Sequence, residues 1–114
     1  YTYMGLIRRE IHKAGINKLA DQLRAIAHPA RLALLQRIAQ SNDCICTDLS
    51  KEMRLAQATI SQHLKVLKEI GIIKGTIEGN SVCYCIDEKF LRSFKSDFME
   101  LFEDLESACC SDKC

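Results

Sequence analysis

The chain predicts a mainly α-helical fold with one small β-hairpin, a winged helix-turn-helix that dimerises through its terminal helices. Three observations carry that prediction. The apolar spacing over residues 46–71 fits two short helices joined by a tight turn. Two runs rich in β-formers then flank a turn signal. A phenylalanine-rich stripe at helical spacing follows. Few other small folds produce helix-turn-helix, hairpin and helix in that order.

An amphipathic segment over residues 11–27 opens the pattern. The only proline, Pro29, follows His28 and starts a second helix through Ala30, Leu34 and Ile38, since proline suits the first helical turn. In the helix-turn-helix, Leu49 and Met53 mark the inward face of the first helix. Ile60, Leu64 and Leu67 recur at four and three residues in the second, the spacing of one buried stripe. Its opposite face carries Ala58, Thr59, Ser61, Gln62 and Lys65. After Gly71, residues 72–77 and 82–86 read as strands around Glu78-Gly79-Asn80-Ser81, a hairpin or wing. Phe90, Leu91, Phe94, Phe98, Leu101, Phe102 and Leu105 then form the terminal stripe, which holds all four phenylalanines. So much aromatic surface on one helix points to a partner subunit. The competing arrangement is a helix folded back on its own domain.

At 114 residues and 47% hydrophobic, the chain can bury one modest core, and one domain is expected. The expected division is an N-terminal extension or first-helix start over 1–15, a DNA-binding and dimerisation domain over 16–108, and a cysteine-rich tail over 109–114. Met4 is the expected natural start, with Tyr1-Thr2-Tyr3 a scar or upstream extension before it. No apolar run is long enough for a bilayer, and no secretory leader pattern opens the chain. The expectation is a cytoplasmic protein with no membrane partner.

The net charge of +1 conceals a segregation. Residues 1–76 carry a balance of +6 and residues 77–114 one of −5. The basic portion contains the helix-turn-helix with its polar outer face, the candidate DNA reader, and the acidic portion is expected to face away from phosphate. Simple solvation of both faces accounts for the composition but not for its segregation.

Glutamine pairs bidentately with adenine, Ser and Thr bond several base edges, and Lys neutralises phosphate. Thr59, Ser61, Gln62 and His63 are therefore the candidates for base edges, with Gln57 near the helix start and Lys65 on phosphate. The competing reading is an ordinary solvated amphipathic helix. Enzymatic activity is not expected, because no Cys-x-x-Cys pair, glycine-rich phosphate loop or Ser/His/Asp constellation is recognisable.

The segment His28-Pro29-Ala30-Arg31-Leu32, the Asp48-Leu49 pair, the run from Thr59 to Leu67, the Gly71-Ile72-Ile73 exit and the Tyr84-Cys85-Ile86 strand resemble the ArsR/SmtB family of bacterial metal-sensing repressors. The resemblance covers about residues 17–107. It implies a homodimeric winged helix that sits on palindromic operator DNA and leaves it when a toxic metal or metalloid binds. Two positions depart from the family pattern. His28 stands where an acidic residue is frequent, and Ala56 where a hydroxyl N-cap is common, forgoing a cap worth about 1 kcal/mol.

Seven cysteines bear on the effector. A reducing cytosol and an odd count argue for free thiols. Cys109, Cys110 and Cys114 offer three thiolates within six residues, a set suited to a thiophilic ion that prefers trigonal sulfur, such as As(III) or Sb(III). The spacing is similar to terminal cysteine sets of some arsenic-responsive family members. On a regular helix Cys110 and Cys114 share a face while Cys109 points about 100° away, so binding is expected to unwind or curl that helix end. An exposed, disordered tail is the alternative.

Cys44, Cys46, Cys83 and Cys85 are secondary candidates. Aligned on Asp48 and His63, Cys44 and Cys46 fall out of register with the family's Cys-x-Cys metal site. They offer either a different site or small buried residues. Cys83 and Cys85 share one strand face, expected on the wing's outer surface. The family's zinc and nickel sites use His and carboxylates on the last helix, and this chain has no histidine after His63. The expected function is therefore a repressor released by arsenite or antimonite. The alternatives are a repressor sensing Cd, Pb, Cu, reactive sulfur or oxidants through its cysteines, and a thiol-rich metal-buffering protein.

Overall fold

The computed structural model describes residues 14–41, 44–45, 48–78 and 81–108. Helices α1 (Ala14–Ile26) and α2 (Pro29–Ala39) are separated by Ala27 and His28. His28 is extended, at φ −148° and ψ 130°, because the ring of a following proline disfavours helical geometry in the residue before it. Pro29 then occupies the first helical turn, where its missing N–H costs nothing. His28 Nδ1 accepts a hydrogen bond from the Ala30 N–H at 3.0 Å, satisfying one of the donors a helix start leaves open.

Helix α3 (Leu49–Met53) is a single short turn capped by Asp48. The Asp48 carboxylate accepts from both the N–H and the hydroxyl of Ser50. Those bonds, the hydroxyl's foremost, hold it below the usual carboxylate range. Arg54 ends α3 in the left-handed region, at φ 56° and ψ 38°, and redirects the chain into α4 (Gln57–Ile70). Ala56 makes no side-chain cap to α4, as its lack of a hydroxyl requires. Gly71 terminates α4 at φ 99°, a conformation that favours glycine.

Strands β1 (Ile73–Glu78) and β2 (Ser81–Ile86) form the antiparallel hairpin, with Ile73 opposite Ile86, Lys74 opposite Cys85 and Gly75 opposite Tyr84. The expected turn residues Gly79 and Asn80 lie outside the described residues. Beyond the expected hairpin, Ile45 pairs with Tyr84 as an isolated antiparallel bridge on the other edge of β2. Helix α5 (Glu88–Ala108) follows, with the Asp87 carboxylate accepting from the N–H groups of Lys89 and Phe90.

The core gathers Leu34 and Ile38 of α2, Ile45, Leu49 of α3, Ile60, Leu64 and Leu67 of α4, and Ile72 and Ile73. Tyr84, Ile86 and Phe90 pack against it. Each fully buried aliphatic side chain here contributes about 1.5–3 kcal/mol relative to exposure. Helix α5 behaves differently. None of its residues is buried, and Leu91, Met99, Leu101, Phe102 and Leu105 are exposed. Its rings instead run along one face, with Phe90, Phe94 and Phe98 stacked in sequence and Phe102 tilted beyond them.

Candidate nucleic-acid interface

The inward stripe of α4 is set by Ile60, Leu64 and Leu67, all buried. With that stripe docked on the core, the 3.6-residue period turns Gln57, Ala58, Ser61, Gln62 and Lys65 to solvent. Thr59 is half-buried at the edge of this face. Gln57 lies within 3.4 Å of the Ser61 hydroxyl, one helical turn on. Of the six residues expected to meet DNA, four are thus exposed together and a fifth flanks them.

His63 is the exception, and its expected place at base edges is corrected. It is buried because it follows Ile60 by three residues and precedes Leu67 by four, which puts it beside the inward stripe. Its Nδ1 accepts from Arg31 Nε at 3.2 Å, leaving the ring proton on Nε2. Its ring lies 4.6 Å from that of His28, tilted by 50°. Arg31 also donates from Nη1 to the Ala25 carbonyl at 2.9 Å. One guanidinium therefore joins the end of α1, the start of α2 and the middle of α4. Burial first, then His28 and Arg31, push the His63 imidazole below its ordinary range.

Arg31, Gln62, His63, Lys65, Val66 and Glu69 line an open groove of about 380 Å³ beside the exposed face. Arg31 was not among the expected interface residues. Its position in the His28-Pro29-Ala30-Arg31-Leu32 segment is a signal for it, but the sequence does not reveal that the segment docks on α4.

The cysteines also depart from expectation. Free thiols were expected throughout, yet Cys44 and Cys85 are joined by a disulfide, with Cα atoms 4.5 Å apart. The Ile45–Tyr84 bridge is the reason, since it sets the residues on either side of it opposite one another. Cys83 and Cys85 were expected on the wing's outer surface. Instead Cys83 is fully buried and itself disulfide-bonded, and Cys85 is half-buried. Cys46 and the tail set Cys109, Cys110 and Cys114 lie outside the described residues. Among the described residues, no group of three or more His, Cys, Asp or Glu is arranged to hold a metal ion. No helix among them is long and apolar enough to cross a membrane.

A short helix, a turn, a second helix with a polar outer face and an adjoining antiparallel hairpin define a winged helix-turn-helix, the domain of many transcriptional regulators. Residues 28–74, from His28 at the cap of α2 to Lys74 in β1, match the family described as bacterial regulatory protein, arsR family. The chain belongs to the ArsR family. It is 32% identical over 76 residues to the HTH-type transcriptional repressor SmtB of Mycobacterium tuberculosis, a match covering 67% of this chain and 56% of that protein. The chain thus spans just over half the length of that relative. An uncharacterised HTH-type transcriptional regulator of Methanocaldococcus jannaschii is 35% identical over 74 residues, 63% of this chain and 82% of that one. Among solved structures, a possible transcriptional regulator for arsenical resistance superposes with a TM-score of 0.64 at 25% identity, covering 80% of this chain and 98% of that chain. A homodimeric winged helix-turn-helix DNA-binding domain from Mycobacterium bovis superposes at 0.61, also at 25% identity, covering 83% and 88%.

Proposed function

We propose that this chain is a transcriptional repressor that binds operator DNA as a homodimer through α4 and is released by a thiophilic metalloid, arsenite or antimonite, bound at Cys109, Cys110 and Cys114. The observation that carries the DNA-binding reading is the shared exposure of Gln57, Ser61, Gln62 and Lys65 opposite the buried Ile60, Leu64 and Leu67. A helix seated by its apolar stripe on a helix-turn-helix core presents its other face to the major groove.

The dimer reading rests on α5. Its apolar side chains are left largely uncovered in one copy, and Ile16 of α1 is uncovered as well, at 54% exposure. A second copy related by a two-fold axis covers these surfaces and sets two reader helices about 34 Å apart, one DNA turn. The homodimeric M. bovis neighbour supports a dimer as such.

The effector reading rests on the chemistry of the tail. Three thiols within six residues match the trigonal sulfur preference of As(III). Arsenite must favour the DNA-free state by a few kcal/mol, because a ligand of equal affinity for both states shifts nothing. Gel shifts on the duplex immediately upstream of the protein's own coding region test this. The wild type is expected to bind and to be released by arsenite, while a Cys109/Cys110/Cys114→Ser variant binds and ignores it. Release of that variant by arsenite overturns the assignment, and failure of the wild type to bind any such duplex overturns the repressor reading.

A further inference from the structure

We propose that Cys44 and Cys85 are a redox site, a dithiol that a hydroperoxide closes to the disulfide and a small thiol reopens, covalently fastening the segment before α3 to the wing. Neither the DNA-binding reading nor the metalloid reading is needed for it.

The backbone brings the two residues together independently of any sulfur–sulfur bond. The Ile45 N–H donates to the Tyr84 carbonyl at 2.8 Å, and the Tyr84 N–H donates to the Ile45 carbonyl at 2.9 Å. This exchange makes Ile45 and Tyr84 a hydrogen-bonded antiparallel pair. The neighbouring positions Cys44 and Cys85 then fall in the closer, non-hydrogen-bonded class, whose Cα atoms lie about 4.5 Å apart. The observed separation is 4.5 Å, within the span a disulfide requires. The reduced chain therefore holds both thiols in bonding range as long as this bridge and the hairpin are intact.

Access and reactivity point the same way. Cys44 and Cys85 are both half-buried, in contrast to the fully enclosed Cys83. Lys74 stands opposite Cys85 across the hairpin and is exposed. Cys85 is thus flanked in register by Cys44 on one side and a cationic residue on the other. A neighbouring cation favours the thiolate, the form that attacks peroxide.

The chemistry balances with the hydroperoxide as oxidant. The Cys85 thiolate attacks the terminal peroxide oxygen, an S–O bond forms as the O–O bond breaks, and an alkoxide leaves and takes up a proton. The Cys44 sulfur then attacks the sulfenic sulfur, the S–S bond forms, and the sulfenic oxygen departs as water. Two thiols give up two electrons and the peroxide accepts them. Two equivalents of a small thiol reverse the closure by exchange and leave as their own disulfide. The closed loop spans a sequence separation of 41, so closure restricts the unfolded chain strongly.

Peptide mapping tests the pairing. Trypsin leaves Cys44 and Cys46 in peptide 38–51 and Cys83 and Cys85 in peptide 75–89, so the decisive protein is a Cys46→Ser/Cys83→Ala variant. Reduced and then treated with a small excess of hydrogen peroxide, it is expected to yield the linked 38–51/75–89 pair, to lose it on dithiothreitol, and to form none when Cys85→Ser is added. Absence of the link, or its persistence with Cys85→Ser, overturns the proposal. In the wild type, fragmentation of the linked pair both between Cys44 and Cys46 and between Cys83 and Cys85 assigns the same link without any substitution. Assignment of Cys44 to Cys83 there overturns it too. Closure in the folded wild type is expected to be roughly tenfold or more faster than in concentrated urea, because the fold supplies the local thiol concentration. Equal rates overturn the claim that the Ile45–Tyr84 bridge prepares the pair.

Discussion

Arg31 donates from Nε to Nδ1 of His63 at 3.2 Å, across 32 positions of sequence. That bond needs a neutral imidazole with an unprotonated Nδ1, and it sits in a buried place next to a second histidine ring. The groove that Arg31 and His63 line together with Gln62 and Lys65 therefore rests on a titratable contact.

Because burial, then His28 and Arg31, lower the His63 value from its ordinary 6.5, the unfolded chain binds the proton more readily than the folded one. Stability is full above pH 6.5 and falls as pH drops below it toward the depressed folded value. Urea denaturation at pH 8 and pH 5.5 is expected to give a lower midpoint at the acid pH. A His63→Gln variant is expected to lose most of that difference. An unchanged pH dependence in the variant places the titrating group elsewhere.

Gln62 and Lys65 are both exposed on α4, but they are expected to fail differently when truncated. Gln62→Ala loses about 1–3 kcal/mol of discrimination at one base position. Lys65→Ala weakens binding to all sequences and reduces the salt slope by about one. Fluorescence anisotropy titrations over a range of salt, on the upstream duplex and on single-base variants of it, separate the two behaviours.

Two substitutions probe the frame that holds α4. Leu34 is fully buried in the central cluster, and Leu34→Ala is expected to cost about 2–5 kcal/mol. Gly71→Ala tests backbone rather than packing. An added Cβ there would meet Phe90 at an ordinary 3.4 Å, but the residue sits at φ +99°. The expected cost is about 1–2 kcal/mol. Thermal and urea unfolding read both.

Phe98 lies on the ring stripe of α5, between Phe94 and Phe102. Phe98→Asp is expected to convert the dimer to a monomer in sedimentation at micromolar concentration and to abolish operator binding together with it. A wild-type protein that sediments as a monomer at that concentration removes the dimer from the proposal.

The winged helix-turn-helix order was legible from residue spacing alone. Ile60, Leu64 and Leu67 recur with the helical period, Pro29 and Gly71 mark helix boundaries, and β-formers flank a turn signal. Each of these is a local property of a dozen or fewer residues. The strand bounds shifted by one residue, from 72–77 to Ile73–Glu78 and from 82–86 to Ser81–Ile86, because hydrogen-bond pairing decides where a strand ends. Of the outward face given by the same periodicity, Ala58, Ser61, Gln62 and Lys65 are exposed and Thr59 is half-buried.

By itself, then, the amino-acid sequence determined which segments are helix or strand, which face of α4 is apolar, and the ArsR family to which the chain belongs. Only the tertiary structure decided what lies beside what. The spacing of His63 sets it beside the inward stripe, but that Arg31 and His28, distant in sequence, close over it was decided only by the docking of the helices. Cys44 met Cys85 because a two-bond bridge between Ile45 and Tyr84 set their register. Periodicity encodes the direction of a side chain along one element, but pairing between elements depends on how separate surfaces dock. That docking is a collective outcome of core packing, and no local run of residues specifies it.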